Sequence, residues 1–196
     1  MNRYKKHFSK ALKNHFPTTE NALMSTLEAH YKAISKDTHF ATSSSNPIDK
    51  RLDFCAYFLA LIKTLDEKGE SFETIRKVSL EVVLEYVRPK NKLSEWAKRI
   101  PLRLLQSPFS SFLLTVFNKK VSKKGNEEGF LAHIITDKNE TYGLGYGVDI
   151  IECGICKLFK KHNFQKYASI LCEVDEVTSN LAGLKLIRTG TIALGA

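Results

Sequence analysis

The chain has 196 residues, of which 43% are hydrophobic, and its formal net charge is +9. This length and composition are typical of one globular domain with a hydrophobic core, and they exclude disorder throughout. The sequence has neither the roughly eighteen consecutive apolar residues of a membrane-spanning helix nor a secretory signal at its N-terminus. With four cysteines and no such signal, we expect a cytoplasmic protein whose thiols are reduced.

Helical hydrophobic spacing dominates the N-terminal two-thirds of the chain. Apolar residues recur three and four positions apart, and proline, glycine or threonine stands where a pattern starts or stops. The third stretch is nearly apolar on all sides, which predicts a helix buried at the centre of the core. The predicted helices cover 1–15, the stretch from Thr18 or Thr19 through Ile34, about 51–67, and about 71–87.

The hydrophobic pattern changes to the alternation of β-strands in the C-terminal third. Residues 130–136 and 142–151 predict two strands joined by a hairpin turn at 138–140. Two helical stretches follow, and residues 184–192 return to strand-like alternation.

Together these patterns predict an α+β fold. A helical N-terminal two-thirds would pack on a small antiparallel sheet formed by the C-terminal third. The length gives no reason to divide the chain, so we expect a single domain over 1–196, mainly helical over 1–124 and strand-containing over 125–196.

Three of the four cysteines lie in the last quarter of the chain, and Cys153 and Cys156 form a Cys-x-x-Cys pair. A zinc site would need a second pair at matching spacing, which Cys172 with His162 does not supply, so we predict no metal and no other cofactor. Cys156 is then a small, buried apolar residue of a helix. Cys153 differs because it stands where a strand meets a helix. The N–H groups of a helix N-terminus favour the thiolate, which is the nucleophilic form.

A second group of polar residues follows one helix later. Cys172 and Asp175 are three positions apart, so on a helix they share one face. A carboxylate there can orient a substrate amine or relay a proton. The alternative is that Asp175, together with Glu173 and Glu176, is part of a solvated acidic surface and has no catalytic role.

Arg188, Thr189 and Thr191 lie on the last predicted strand. Strict alternation puts the two threonines on one side of that strand and Arg188 on the other. Two hydroxyls in line can bind a carboxylate or a leaving group, and an arginine is suited to clamp a carboxylate. Threonines are also ordinary strand residues that need no function.

These residues resemble the signature of the L-2-amino-thiazoline-4-carboxylic acid hydrolase family. The resemblance rests on Cys153, on Cys172-Glu173-Val174-Asp175 and on the run from Arg188 to Gly195, about the last quarter of the chain. In that family a lone Cys follows a strand, a Cys-x-x-Asp falls about one long helix later, and an Arg-Thr-x-Thr strand leads to a Gly. The family pattern then continues into a Cys-Asp-Phe strand, which this sequence does not include.

The resemblance implies a hydrolase that opens a small cyclic substrate at its C–N and C–S bonds with water, giving an N-carbamoyl amino acid. It assigns the reaction centre to Cys153 or Cys172 and proton handling to Asp175. It assigns binding of the substrate carboxylate to Arg188 and the two threonines that follow it. The alternative is a small-molecule-binding or accessory protein on the same scaffold that does not turn its ligand over.

Most of the positive charge belongs to one segment, 96–124, which holds seven basic residues and no acidic one. No recognition motif accompanies it, so we do not expect nucleic acid as a partner. An apolar face flanked by basic clusters can contact an anionic membrane; the alternative is an element that covers the core while its lysines stay in water. The sequence leaves the oligomeric state open. The residues of the apolar face are Phe109, Phe112, Leu113, Val116 and Phe117.

Overall fold

The computed structural model describes residues 4–87, 110–137, 139–141, 146–181 and 185–195. The fold is α+β, as predicted, and its described strands form a two-stranded antiparallel sheet in the C-terminal third. The helices are α1 (Lys5–His15), α2 (Glu20–Thr38), α3 (Arg51–Glu67), α4 (Phe72–Val87), α5 (Ser110–Val121), α6 (Gly154–Lys161) and α7 (Ala168–Leu181). The strands are β1 (Leu131–Ile135) and β2 (Gly147–Glu152), and short 3-10 turns lie at His39–Thr42, Pro47–Lys50, Gln165–Tyr167 and Ile192–Leu194.

The chain divides into two compact units. The first is built from Met1–His39, Leu52–Arg88 and Ile155–Ala196, and the second from Phe40–Arg51 and Pro89–Gly154. Each unit is therefore assembled from stretches that are distant in sequence. The expectation of a single domain stays a prediction. None of the helices in the described ranges combines the length and the apolarity needed to cross a bilayer.

The core of the first unit is organised around α3. Every side chain from Cys55 to Ile62 is buried, as the nearly apolar sequence predicts. The ring of Phe8 on α1 packs edge-on against this helix, with its centroid 4.5 Å from that of Tyr57 and 5.1 Å from that of Phe58. Burial of a large apolar side chain is worth roughly 1.5–3 kcal/mol, so α3 is the main source of hydrophobic stabilisation in this unit.

Polar side chains join α1 to α4 at the edge of this core. Lys10 Nζ lies 2.6 Å from Glu85 Oε2. Asn14 donates a hydrogen bond to Glu81, and His15 Nε2 lies 2.7 Å from the other carboxylate oxygen of Glu81. The helical pattern predicts Glu81 and Glu85 as solvated surface residues. In the structure both are half-buried, because the polar side of α1 lies against them, and their bonds to α1 are still reached by solvent.

The start of α7 is held to the end of α3. Tyr167 stacks on Phe72 with ring centroids 5.5 Å apart, and its hydroxyl donates a hydrogen bond to Asp66. Lys166 Nζ donates to the same Asp66 oxygen at 3.1 Å. The hydrogen bond from Tyr167, together with the one from Lys166, outweighs the partial burial of Asp66 and lowers the pKa of its carboxyl below 3.8.

This lowered pKa predicts that acid weakens the first unit at Asp66. A carboxylate with a depressed pKa stabilises the folded state at pH values above its unfolded pKa of about 3.9. That contribution is lost as the pH falls through the folded pKa, so the free energy of unfolding decreases as the pH is lowered below about 5. Tyr167→Phe keeps the ring but removes the hydrogen bond, and we expect it to flatten this dependence. Urea unfolding at a series of pH values measures the effect.

The control for this prediction is the same comparison in an Asp66→Asn background. The asparagine amide does not titrate, so Tyr167→Phe should leave the slope of stability against pH unchanged there. If Tyr167→Phe changed the slope equally in both backgrounds, the acid sensitivity would not come from Asp66.

The predicted hairpin is present in the second unit. β1 pairs antiparallel with β2, and the register runs from Leu131 opposite Glu152 to Ile135 opposite Gly147. β1 matches the first predicted strand closely. β2 covers the end of the second predicted strand, and residues 138 and 142–145 of the predicted turn and strand lie outside the described residues.

The helix α5 packs one of its sides against this hairpin. Leu114 and Val121 form a buried cluster with Ala132 and Ile134 of β1. Asn118 Oδ1 accepts a hydrogen bond of 2.9 Å from the backbone N–H of Ile134. An amide at the edge of a two-stranded sheet needs such a partner, so Asn118 fixes which side of α5 faces the sheet.

A buried asparagine ties together distant parts of the second unit. Asn46 is 0% exposed. Its Nδ2 donates to the backbone carbonyls of Val121, Lys123 and Phe130 at 3.3, 3.3 and 2.9 Å. Its Oδ1 accepts from the backbone N–H of Ile48 at 3.1 Å, as an N-cap. One side chain therefore satisfies main-chain groups after α5, before β1 and at a 3-10 turn.

A buried aspartate completes this connection. Asp49 accepts hydrogen bonds from the Ser44 hydroxyl and, at 2.8 Å, from the backbone N–H of Phe130. The backbone approaches so closely that a Cβ on Gly129 would lie 2.6 Å from Asp49 Oδ1. Only glycine leaves room for the carboxylate at this point.

The last predicted strand is wrong. Residues 185–191 have no regular secondary structure, and a 3-10 turn follows at Ile192–Leu194. An extended segment becomes a strand only when a neighbour supplies main-chain hydrogen bonds, and the described part of the chain offers it no such neighbour.

Of the basic segment 96–124, only residues 110–124 belong to the described part, and Phe109 lies outside it.

Candidate functional site

Cys153 stands between β2 and α6, at the predicted junction of strand and helix. Its side chain is half-buried. A Cβ on the next residue, Gly154, would lie 3.1 Å from a ring carbon of Phe130 and 3.2 Å from the carbonyl oxygen of Glu128. The backbone beside Cys153 is therefore held against the residues that precede β1.

Cys172 and Asp175 lie one turn apart on α7. Both side chains are half-buried, whereas Leu171 and Val174 of the same helix are buried in the core of the first unit. Cys172 and Asp175 thus border the packed side of the helix, where a side chain is held but still reached by solvent. Cys156, predicted as a buried residue, lies on α6 and is half-buried as well.

Arg188 folds back onto α7. Its Nη2 donates a hydrogen bond of 3.0 Å to the backbone carbonyl oxygen of Cys172, and its side chain is otherwise exposed. Thr189 is exposed and Thr191 half-buried. Because this segment is not a strand, the alternation that would place the two threonines on one side does not apply.

The hydrogen bond from Arg188 brings the Arg-Thr-x-Thr segment to the Cys-x-x-Asp helix. Both belong to the first unit, whereas Cys153 belongs to the second. The structure thus joins two of the three sequence features within one unit.

An ion pair beside Cys172 is not predictable from the sequence. Arg76 on α4 donates from Nε to both carboxylate oxygens of Glu173, at 3.0 and 2.8 Å, and its Nη2 lies 2.6 Å from Glu173 Oε2. The hydrogen bonds to Glu173 raise the pKa of the Arg76 guanidinium. Glu173 therefore fixes α7 against α4. No sequence signal connects two residues that are 97 positions apart.

A second polar cluster joins α6 and the residue after it to α2. Lys161 Nζ lies 2.9 Å from one oxygen of Asp37, and His162 Nε2 lies 3.0 Å from the other. Burial raises the pKa of Asp37, but the hydrogen bonds from Lys161 and His162 outweigh it and hold that pKa below 3.8. His162, weighed above as a zinc ligand, faces a carboxylate.

Within the described ranges, no three His, Cys, Asp or Glu side chains are grouped so that they could hold a metal ion.

A family model described as L-2-amino-thiazoline-4-carboxylic acid hydrolase matches residues 50–196. The chain belongs to this family. The match begins just before α3, and it includes the hairpin, α6, α7 and the C-terminal segment. No curated protein and no solved structure matches the chain.

Membership of the L-2-amino-thiazoline-4-carboxylic acid hydrolase family extends the resemblance from the last quarter of the chain to about three-quarters of it. Cys153, Cys172, Asp175 and Arg188 all fall within the matched residues, and so do both partners of the Arg76–Glu173 ion pair. Asp37 falls outside the match, whereas its partners Lys161 and His162 fall within it.

Proposed function

We propose that this protein hydrolyses a small cyclic, amidine-like substrate that carries a carboxylate, with L-2-amino-thiazoline-4-carboxylate as the first compound to test. The observation that carries the proposal is the hydrogen bond from Arg188 to the Cys172 carbonyl, which lies within the family match. It supports the proposal because it joins the candidate carboxylate clamp to the helix that carries Cys172 and Asp175.

The reaction adds the oxygen of water to the ring carbon that lies between nitrogen and sulfur. The cysteine thiolate first attacks this carbon, the ring carbon–sulfur bond breaks, and the ring sulfur leaves with a proton as a thiol. Water then attacks the same carbon, the bond to the cysteine breaks and returns the thiolate, and the carbon becomes the carbonyl of an N-carbamoyl group. Three groups serve this chemistry: a nucleophile that attacks the ring carbon, an acid that protonates the leaving atom, and a cation that holds the carboxylate.

In this proposal the nucleophile is Cys153 or Cys172, and Cys172 lies in the same unit as Asp175 and Arg188. Cys153 directly precedes the first turn of α6, and helix N-termini favour anions such as a thiolate. Asp175, half-buried one turn after Cys172, handles the proton. Arg188 binds the carboxylate, with Thr189 and Thr191 beside it. A guanidinium has five N–H donors, and the bond to Cys172 uses one of them.

The direct test is incubation of the full chain with L-2-amino-thiazoline-4-carboxylate. Turnover creates a new thiol, which a thiol reagent measures, and mass spectrometry identifies the N-carbamoyl product. Calorimetry with the same compound measures binding. Binding without turnover would replace the hydrolase by the small-molecule-binding alternative, and absence of both would reject this substrate class.

The proposal predicts that Arg188→Gln weakens substrate binding. A hydrogen bond to a charged group is worth about 1.5–3 kcal/mol, which corresponds to roughly a 10- to 150-fold increase in KM. We expect kcat to change less, because the carboxylate is held equally in the ground state and the transition state. Steady-state kinetics of the variant measures both constants.

Arg76→Gln is the matched control for Arg188→Gln. Arg76 is also a partly exposed arginine against α7, but it pairs with Glu173 rather than with the proposed ligand. We expect its KM to stay within about twofold of the original. A second control is 2-amino-thiazoline without the carboxylate, whose KM should not respond to Arg188→Gln. Equal losses with both compounds would show that Arg188 acts on the fold and not on the carboxylate.

A further inference from the structure

The helix α5 carries an apolar surface on the side opposite to its packed side. Leu114, Asn118 and Val121 face the hairpin. Successive residues of an α-helix are turned by about 100°, which places a second group of apolar residues on the other side. We call this group the α5 surface. Its residues are Phe112, Leu113, Val116 and Phe117, with exposed fractions of 67%, 39%, 40% and 40%.

These four side chains form a patch rather than scattered exposed residues. They fall within six consecutive positions, and the pairs among them that are three or four residues apart are neighbours on the helix surface. Single exposed apolar residues are normal, whereas a contiguous apolar patch marks a surface that binds something. The packed side of α5 is already occupied by β1, whereas the four side chains of the α5 surface are exposed in the part of the chain that the structure describes.

The charges around the α5 surface are positive. Lys119 and Lys120 come three and four positions after Val116, so they share its side of the helix, and both are exposed. Lys123 is exposed just beyond the end of α5. Lys124 does not add to this group, because its Nζ lies 2.8 Å from Glu127 and 3.1 Å from Glu152. The helix itself contains no acidic residue.

We propose that the α5 surface binds a membrane surface rich in anionic lipid. The helix lies parallel to the membrane, with its phenylalanines among the headgroups and upper acyl chains and with Lys119 and Lys120 at the lipid phosphates. A second copy of this chain is disfavoured, because the lysines of two such surfaces would repel one another. The cores of protein interfaces are depleted of lysine, which disfavours a protein partner. This inference does not depend on the proposed hydrolase activity.

Co-sedimentation of the full chain with vesicles tests the proposal. We expect binding to phosphatidylcholine vesicles that contain phosphatidylglycerol, little binding to pure phosphatidylcholine, and loss of binding as salt is raised. Lys119→Glu with Lys120→Glu should lower the partition coefficient about 30-fold or more, because each basic residue near an anionic surface contributes about fivefold. Phe112→Ser should lower it about tenfold.

The controls make the same changes elsewhere on the surface. Lys32→Glu with Lys36→Glu alters the net charge equally on exposed positions of α2, and Leu84→Ser removes an apolar side chain that is 41% exposed on α4. Both should bind vesicles within about threefold of the original protein. Absence of binding to the anionic vesicles overturns the proposal, as does an equal loss in the charge control. Sedimentation velocity adds a further outcome: a dimer that Phe112→Ser dissociates, without vesicle binding, would assign the α5 surface to a second copy.

Discussion

If Cys153 is the nucleophile of the proposed reaction, replacing it with serine is expected to abolish hydrolysis of L-2-amino-thiazoline-4-carboxylate and to leave the fold intact. A serine hydroxyl is a far weaker nucleophile than a thiolate at neutral pH, so the rate should fall on the order of 10³-fold or more. The side chain is half-buried at the end of β2, and the change from sulfur to oxygen is small, so little packing is lost. Thiol release measures the activity, and far-ultraviolet circular dichroism checks the fold.

Two other cysteines make this experiment decisive. Cys156→Ser makes the same substitution at a half-buried position of α6 that has no proposed role, so it should keep most of the activity. Cys172→Ser tests the second candidate. Loss of activity there, with Cys153→Ser still active, would move the nucleophile to Cys172. If both variants kept most of their activity, a cysteine nucleophile would be ruled out.

Thiol labelling of the native protein at graded pH identifies the reactive cysteine independently of the substitutions. Mass spectrometry follows each cysteine separately, and the nucleophile should react at a lower pH than Cys55, which is buried. Labelling that is uniformly slow and appears only on unfolding would make all four cysteines structural. The small-molecule-binding alternative would then be favoured.

The largest expected effect on stability is that of Asn46→Ala in the second unit. The variant leaves the Phe130 carbonyl without its side-chain partner in a buried place and the Ile48 N–H without its partner in a half-buried one. An unsatisfied buried group costs roughly 1–3 kcal/mol, so the free energy of unfolding should fall by about 3–5 kcal/mol. Hydrogen exchange of peptides from β1 and β2 measures the local loss of stability in the hairpin. Urea unfolding measures the change in the free energy of unfolding of the whole protein.

Asn126→Ala is the matched control for this stability prediction. Asn126 also accepts a backbone hydrogen bond, from Glu128 at 2.9 Å, but that bond is exposed. Water replaces such a partner, so the cost should be about 0.5–1 kcal/mol. Equal destabilisation by the two variants would contradict the prediction that the burial of Asn46 makes the loss of its hydrogen bonds more costly.

The elements that rest on local patterns could be predicted from the sequence. The near-continuous apolar run of α3 and Gly69 beyond its end gave that helix its predicted bounds. Ile170, Leu171 and Val174 have the spacing of one side of a helix, and they are buried on α7. The segment after α7 was predicted as a strand and is not one, because alternation records which side chains are apolar and not whether a partner strand is present.

The candidate site was predictable in its residues and not in its contacts. The resemblance selected both Cys172 and Arg188, but it assigned Arg188 to a substrate, whereas in the structure the guanidinium also binds the main chain of α7. The Arg76–Glu173 ion pair and the bonds of Asn46 join residues far apart in sequence. Such polar contacts follow from the tertiary fold, and periodicity carries no record of them.

The order of the chain in the first unit has a consequence for synthesis. Arg76 meets Glu173, and Asp66 meets Lys166, across separations of 97 and 100 residues. At ribosomal speed, roughly 5–20 s passes between the emergence of such partners. During that time the apolar α3 lacks the helix that completes its unit. Contacts of this range slow folding, so the nascent chain should recruit chaperones until α7 has left the ribosome.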